Sequence, residues 1–292
     1  MKTSAFLTAI GALVSAANAA DLTQVTNFGS NPTGAKMYTF KPDNLPKNAP
    51  VVLVLHYCGG TANAMYSNTA WATAATSHGF TVIYGETPNA SGCWDVSSPA
   101  TLTHDGNGDS TSIANMVRHV LNDKTISADP RRIFVTGISS GAMMTNVLAA
   151  TYPEIFAGAT SYAGVAAGCF YTGTVAGWNS TCANGQEIHT AAEWAGIAKA
   201  MDPGYQGPRP SITLYHGDAD DTINPQNLQE ALKQWTGIFG YNMAAGKVTA
   251  NQPISGWTTT VYGEKVRGVV ASGVTHSIPM QVSNDLKFFG IA

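Results

Sequence analysis

Charge is what this chain has least of. Only 11% of its 292 residues are Asp, Glu, Lys or Arg, and the formal net charge is −3. No run of Lys and Arg stands out, which excludes the electrostatic footprint of a nucleic-acid binder, and no acidic tract forms a solvated tail. Long apolar runs are missing as well. None approaches the roughly 20 residues that a membrane-crossing helix needs. The four cysteines include no CxxC pair, so a zinc ribbon or finger is excluded. Internal repeats, low-complexity tracts and Ser/Thr/Pro linkers are absent, and the chain reads as one domain with no appended binding module.

What remains is apolar and glycine-rich, with 44% hydrophobic residues and 30 glycines. Lys2, the apolar stretch Ala5 to Val14 and the small-x-small pattern Ala17-Asn18-Ala19 read as a signal peptide over residues 1–19. The mature chain is then 20–292, secreted and extracellular. In that oxidising compartment four cysteines imply two disulfides, with three pairings open. Cys58–Cys93 and Cys169–Cys182 are favoured, because the second closes a local Gly-rich loop and the first ties two loops at one end of a sheet. Each is worth about 3 to 4 kcal/mol on the chain-entropy estimate. Two sequons, at Asn89 and Asn179, are candidate glycan sites.

From Pro50 onward, strand and helix signals alternate. Val51 to Leu55, Phe80 to Tyr84, Ile133 to Thr136, Ile212 to Tyr215 and Val266 to Val270 are short apolar runs, the pattern of strands buried on both faces. Between them, Ile113, Met116, Val117, Val120 and Leu121 share one helical face, with Asp109 as the expected N-cap. Leu228 to Phe239, after Pro225, is a second helix. This alternation predicts an α/β fold, a mostly parallel sheet with helices on both faces, whose site lies at the carboxyl ends of the strands.

One such end carries chemistry. Gly137-Ile138-Ser139-Ser140-Gly141 follows the strand at Ile133 and precedes a helical pattern through Met144, Val147 and Leu148. That is G-x-S-x-G in the strand–turn–helix context of an α/β-hydrolase, with Ser139 as nucleophile. A serine hydroxyl needs a base. Among seven histidines, His276 stands after the Val266 run, where a loop reaches over the sheet end. His216 and His56 end strands and read as structural, and His104 is placed at the edge of the cleft. The orienting acid precedes the histidine in chain order, and three aspartates follow the Ile212 strand. Spacing ranks Asp220 first, Asp221 next and Asp218 last. The N–H groups of Ser140 and Cys58 are the expected oxyanion donors, with the Cys58 sulfur in a disulfide. Trp94 is a candidate to stack on a sugar ring.

Several longer stretches resemble the fungal acetylxylan esterases of carbohydrate esterase family 1. They include Leu22 to Pro32, Cys93-Trp94-Asp95, Ile113 to Val117, Gly141 to Asn146, Gly168 to Tyr171, His216-Gly217-x-Ala219-Asp220 and Phe288-Phe289-Gly290. The resemblance implies an α/β-hydrolase that removes acetyl groups from acetylated xylan. It also implies a Ser139–His276–Asp220 triad, Cys58 and Ser140 as oxyanion donors, and no metal or organic cofactor. A monomer without a carbohydrate-binding module is expected. Gly59-Gly60 resembles the related feruloyl esterases instead, while Tyr57 and the Pro203-Gly204-Tyr205 stretch resemble the acetyl enzymes. Feruloyl ester hydrolysis is therefore the alternative. A polyester depolymerase, a serine peptidase and an inactive binding protein on the same fold are the more distant ones.

Overall fold

The computed structural model describes residues 21–43 and 45–292; the expected signal peptide lies outside the described residues. Ten strands form one sheet: β1 (Thr23–Val25), β2 (Lys36–Phe40), β3 (Ala49–Leu55), β4 (Thr81–Glu86), β5 (Ala128–Ile138), β6 (Gly158–Tyr162), β7 (Ser211–Gly217), β8 (Lys247–Ala250), β9 (Trp257–Tyr262) and β10 (Val266–Ala271). Their order is β1-β2-β4-β3-β5-β6-β7-β10-β9-β8. The centre, β4 to β10 in that order, is parallel, and both ends are antiparallel. The predicted parallel sheet is present, extended at each end by pairs that no buried apolar run announces.

The described residues form eight α-helices beside it: α1 (Ala62–Asn68), α2 (Trp71–His78), α3 (Asp109–Asn122), α4 (Ser140–Thr151), α5 (Ser180–Ala183), α6 (Ala191–Lys199), α7 (Gln226–Phe239) and α8 (Val282–Phe288). Strand β3 explains the layering. Val51, Leu53 and Leu55 enter the core shared by α3, α4, α6 and α7, while Val52 and Val54 enter a second core with α1, α2 and α8. Side chains alternate across a strand, so a run apolar at every position has both faces covered. Among the described residues, no helix is long and apolar enough to cross a membrane.

Some expectations change. The N-cap of α3 is Gly108, and Asp109 is instead its first residue, buried and accepting from the Asn89 amide and the Asp95 N–H. The Asn89 amide nitrogen also donates to Thr87 and to the Cys93 carbonyl, and the Asn179 nitrogen donates to the Cys169 and Tyr171 carbonyls. Both sequon nitrogens are thus engaged within the fold.

Candidate active site

Strand β5 ends at the turn that holds Ser139, whose φ of 55° and ψ of −120° are a sparsely populated conformation for a residue with a side chain. Backbone bonds hold it there: the Ser139 N–H donates to the Tyr162 carbonyl at 2.8 Å, and Met143 N–H donates to the Ser139 carbonyl at 2.9 Å. The flanking glycines are required by space. A Cβ on Gly137 would lie 2.3 Å from the Gly141 backbone, and one on Gly141 would lie 2.3 Å from the Leu55 carbonyl oxygen.

The structure brings the three expected side chains together. His276 Nε2 is 2.8 Å from Ser139 Oγ, and His276 Nδ1 is 2.7 Å from Asp220 Oδ2. With the ring neutral, Nδ1–H donates to Asp220 and Nε2 is free to take the serine proton. Asp218 and Asp221 are exposed, whereas the Asp220 side chain is fully buried. Burial alone would raise its carboxyl. Bonds from His216, His276 and the Ile223 and Thr222 N–H groups outweigh burial and hold Asp220 well below the usual carboxylate range. His216, at 3.1 Å from Asp220 Oδ2 and 2.9 Å from the Ile223 carbonyl, is a second donor on the acid.

The His276 loop is fixed by features that spacing could not reveal. Asp218 accepts from the Gly273 N–H at 2.6 Å, and a Cβ on Gly217 would collide with the Val274 carbonyl oxygen at 2.0 Å. Tyr162 joins the halves of the site, because its carbonyl holds Ser139 while its hydroxyl accepts from the Gln281 N–H, beyond His276. That hydroxyl also donates to Asp285, as do Tyr215 and Thr160.

Asp285 is fully buried, and desolvation, opposed by those three hydroxyls, pushes its carboxyl up to about 7. The folded state thus keeps a proton that the unfolded chain releases near 3.8. Its contribution to stability is complete below that value and declines as pH rises to about 7, by on the order of 4 kcal/mol at most. Asp285→Asn should flatten the decline, read as urea midpoints at pH 4, 5.5 and 7. Parallel wild-type and variant curves would refute it.

The triad opens onto a cleft of about 590 Å³, lined by Tyr57, Cys58, Met143, Phe170, Trp178 and Ile278 among others. Cys58 is bonded to Cys93, and Cys169 to Cys182. Cys58 and Ser140 line this cleft, and among the described residues neither of their N–H groups donates to another protein group. The Ser140 hydroxyl is committed elsewhere, accepting from the Trp94 N–H at 2.7 Å.

Trp94 does not match its expected role. It is 1% exposed, its indole N–H donates to the His56 carbonyl at 3.1 Å, and its ring packs against His56. Trp94 lines the cleft, but too little of its ring is exposed for a sugar to stack on. Exposed aromatic surface comes instead from Trp178 and Tyr57, at 58% and 41% exposure. His104 is also displaced from the cleft edge. It bonds the Thr151 carbonyl, at the opposite end of α4 from Ser139. There it forms, with Glu154 and Asp202, a group whose ligand atoms lie within 4.8 Å of one another, although Arg118 at 3.8 Å already counters Glu154.

Known proteins resemble the whole of this arrangement. Residues 36–253 match the family described as esterase PHB depolymerase. The probable acetylxylan esterase A of Aspergillus niger is 52% identical over 274 residues, 93% of this chain and 90% of its own length. Acetylxylan esterase A of Emericella nidulans is 52% identical over 92% of this chain and 89% of its own. The solved acetyl xylan esterase from Aspergillus awamori superposes with a TM-score of 0.91 at 51% identity, covering 93% of this chain and all of that one. A crystal structure of a thermostable esterase, 18% identical with a TM-score of 0.53 over 87% of this chain and 55% of its own, shares the fold. A match over most of the chain, with relatives above half identity along nearly their full length, places this protein in the esterase PHB depolymerase family, beside the fungal acetylxylan esterases.

Proposed function

We propose that this protein is a secreted serine esterase that removes acetyl groups from acetylated xylan. Ser139 attacks the acetyl carbonyl as His276 takes its proton, and the N–H groups of Cys58 and Ser140 stabilise the oxyanion. His276 then protonates the departing sugar oxygen, leaving an acetyl-enzyme. Water, with His276 again as base, releases acetate. Asp220 holds the ring in the required tautomer. No step is routed through a metal or an organic cofactor. The observation that carries this reading is the hydrogen-bonded Ser139–His276–Asp220 chain at the cleft.

Residues 1–19 act as the signal peptide, and 20–292 form one catalytic domain that works as a monomer. The two disulfides support an oxidising, extracellular destination.

A cleft of about 590 Å³ exceeds what an acetyl group alone would fill, so acyl preference must be measured. Acetate release from acetylated xylan and ferulate release from methyl ferulate are followed in parallel. Acetate is expected to dominate. Dominant ferulate release would keep the machinery and transfer the protein to the feruloyl reading, with the Gly59-Gly60 loop as the first place to look.

A further inference from the structure

A second pocket, of about 350 Å³, lies on the sheet where α8 leaves it uncovered, and it shares no lining residue with the cleft. In the pairing register Thr213 on β7 stands beside Arg267 on β10, and Val269 stands beside Thr259 on β9, which in turn faces Thr249 on β8. Paired residues project to the same side of a sheet, so these four strands present one polar face. Asn284 and Lys287 of α8 close one side of it.

Thr259 donates its hydroxyl to the Gln252 carbonyl at 2.8 Å, but other donors on this face have no partner. Arg267 Nε and the Thr213 hydroxyl are buried without a hydrogen-bond partner, and Thr213 as a whole is 2% exposed. Among the described residues, neither Arg267 nor Lys287 has an acidic partner, whereas Lys36, Arg118, Arg131 and Lys233 do. The carboxylate of α8, Asp285, is turned onto Tyr162, Tyr215 and Thr160. Phe288 holds the guanidinium from one side, with the Arg267 carbon 4.8 Å from its ring centre. A stacked guanidinium keeps its edge free, and that edge matches a planar carboxylate in two parallel bonds. The Arg267 Nη groups and Lys287 Nζ have no acceptor among the described residues, so an oxygen-rich anion is their complement.

We infer that this pocket is a binding site for a sugar carboxylate, a uronate, with Arg267 and Lys287 on the carboxylate and neutral polar groups on the ring hydroxyls. The neutral lining favours a sugar over a bare anion: Thr249, Gln252 and Asn284 supply a hydroxyl and amides around a space of monosaccharide size, and the Thr259 oxygen can accept. The site is independent of the ester chemistry, since it touches no member of the triad.

Binding is measured by titration calorimetry on the mature wild-type protein at low salt, with glucuronate, xylose, acetate and sulfate as probes. Ester turnover is assayed alongside, so an inactive esterase and an empty pocket are separate results. Glucuronate should bind clearly more tightly than the other three. Arg267→Met should weaken it about tenfold or more, and Lys287→Met several-fold, with small-ester turnover unchanged in both. Lys287 is exposed, so its variant folds even if the Arg267 variant does not. Glucuronate binding no tighter than xylose, or unmoved by both substitutions, overturns the site. Acetate or sulfate matching glucuronate overturns the sugar component.

Discussion

Replacing Ser139 with alanine should lower kcat for acetate release on the order of 10⁵- to 10⁶-fold while leaving the fold intact. The size follows from removing a nucleophile that works as a unit with its base; a residual enhancement of about 10³ to 10⁴ over water survives through the oxyanion donors. Stability should change by less than about 0.5 kcal/mol, because the bonds that hold the turn are made by the Ser139 backbone, not its hydroxyl. The neighbouring serine behaves in the opposite way. Ser140→Ala deletes the buried acceptor of the Trp94 N–H and leaves that donor unpaired, at a cost of about 1 to 3 kcal/mol. Its own N–H, the proposed oxyanion donor, is untouched. The two serines are thus separated by paired measurements of kcat and urea midpoint. Ser139→Ala within tenfold of wild-type turnover would remove Ser139 from the mechanism.

How much of this was legible in the sequence depends on the range of the interactions involved. Strand β3 and the Ile133 to Val135 stretch of β5 announce themselves, since apolarity at successive positions means two covered faces. Strand β6, Gly-Ala-Thr-Ser-Tyr, carries the same burial with small and polar residues and gives no such signal. Its threonine and tyrosine are spent on Asp285, more than 100 residues away, a pairing no local pattern encodes. The antiparallel ends are hidden for a related reason. β8 is exposed along its whole length, so burial leaves no mark on its composition.

At the site, the Gly-x-Ser-x-Gly turn is readable because its glycines answer to local crowding. The choice among Asp218, Asp220 and Asp221 is only ranked by spacing, with Asp220 first, because it rests on which carboxylate faces His276 across 56 residues. Trp94 shows the converse limit: its neighbour's disulfide puts it in the cleft wall, but nothing local tells how little of the indole is exposed there. Asp218 had a use after all, as the anchor of the loop that carries His276.

Asp220→Asn should reduce kcat about 10⁴-fold with KM little changed, and the hydrogen bonds around the carboxylate say why. Oδ1 accepts from the Thr222 and Ile223 N–H groups at 2.9 Å each, while Oδ2 faces His276 Nδ1 and His216 Nε2. An asparagine must put its carbonyl oxygen where the two N–H donors are, so its NH₂ is forced toward His276. Nδ1 then becomes the acceptor, the ring proton moves to Nε2, and the nitrogen facing Ser139 can no longer take a proton. His216 adds to the penalty, since its Nε2–H keeps the Ile223 carbonyl but meets a donor where it had an acceptor. Asp221→Asn is the control. That side chain is exposed and outside the chain of bonds to Ser139, so turnover of a small acetyl ester should stay within a few-fold of wild type. Equal losses in the two variants would point to general damage of the β7 loop. A large loss confined to position 220, with the nucleophile turn unchanged in stability, would identify tautomer control as the role of the buried acid.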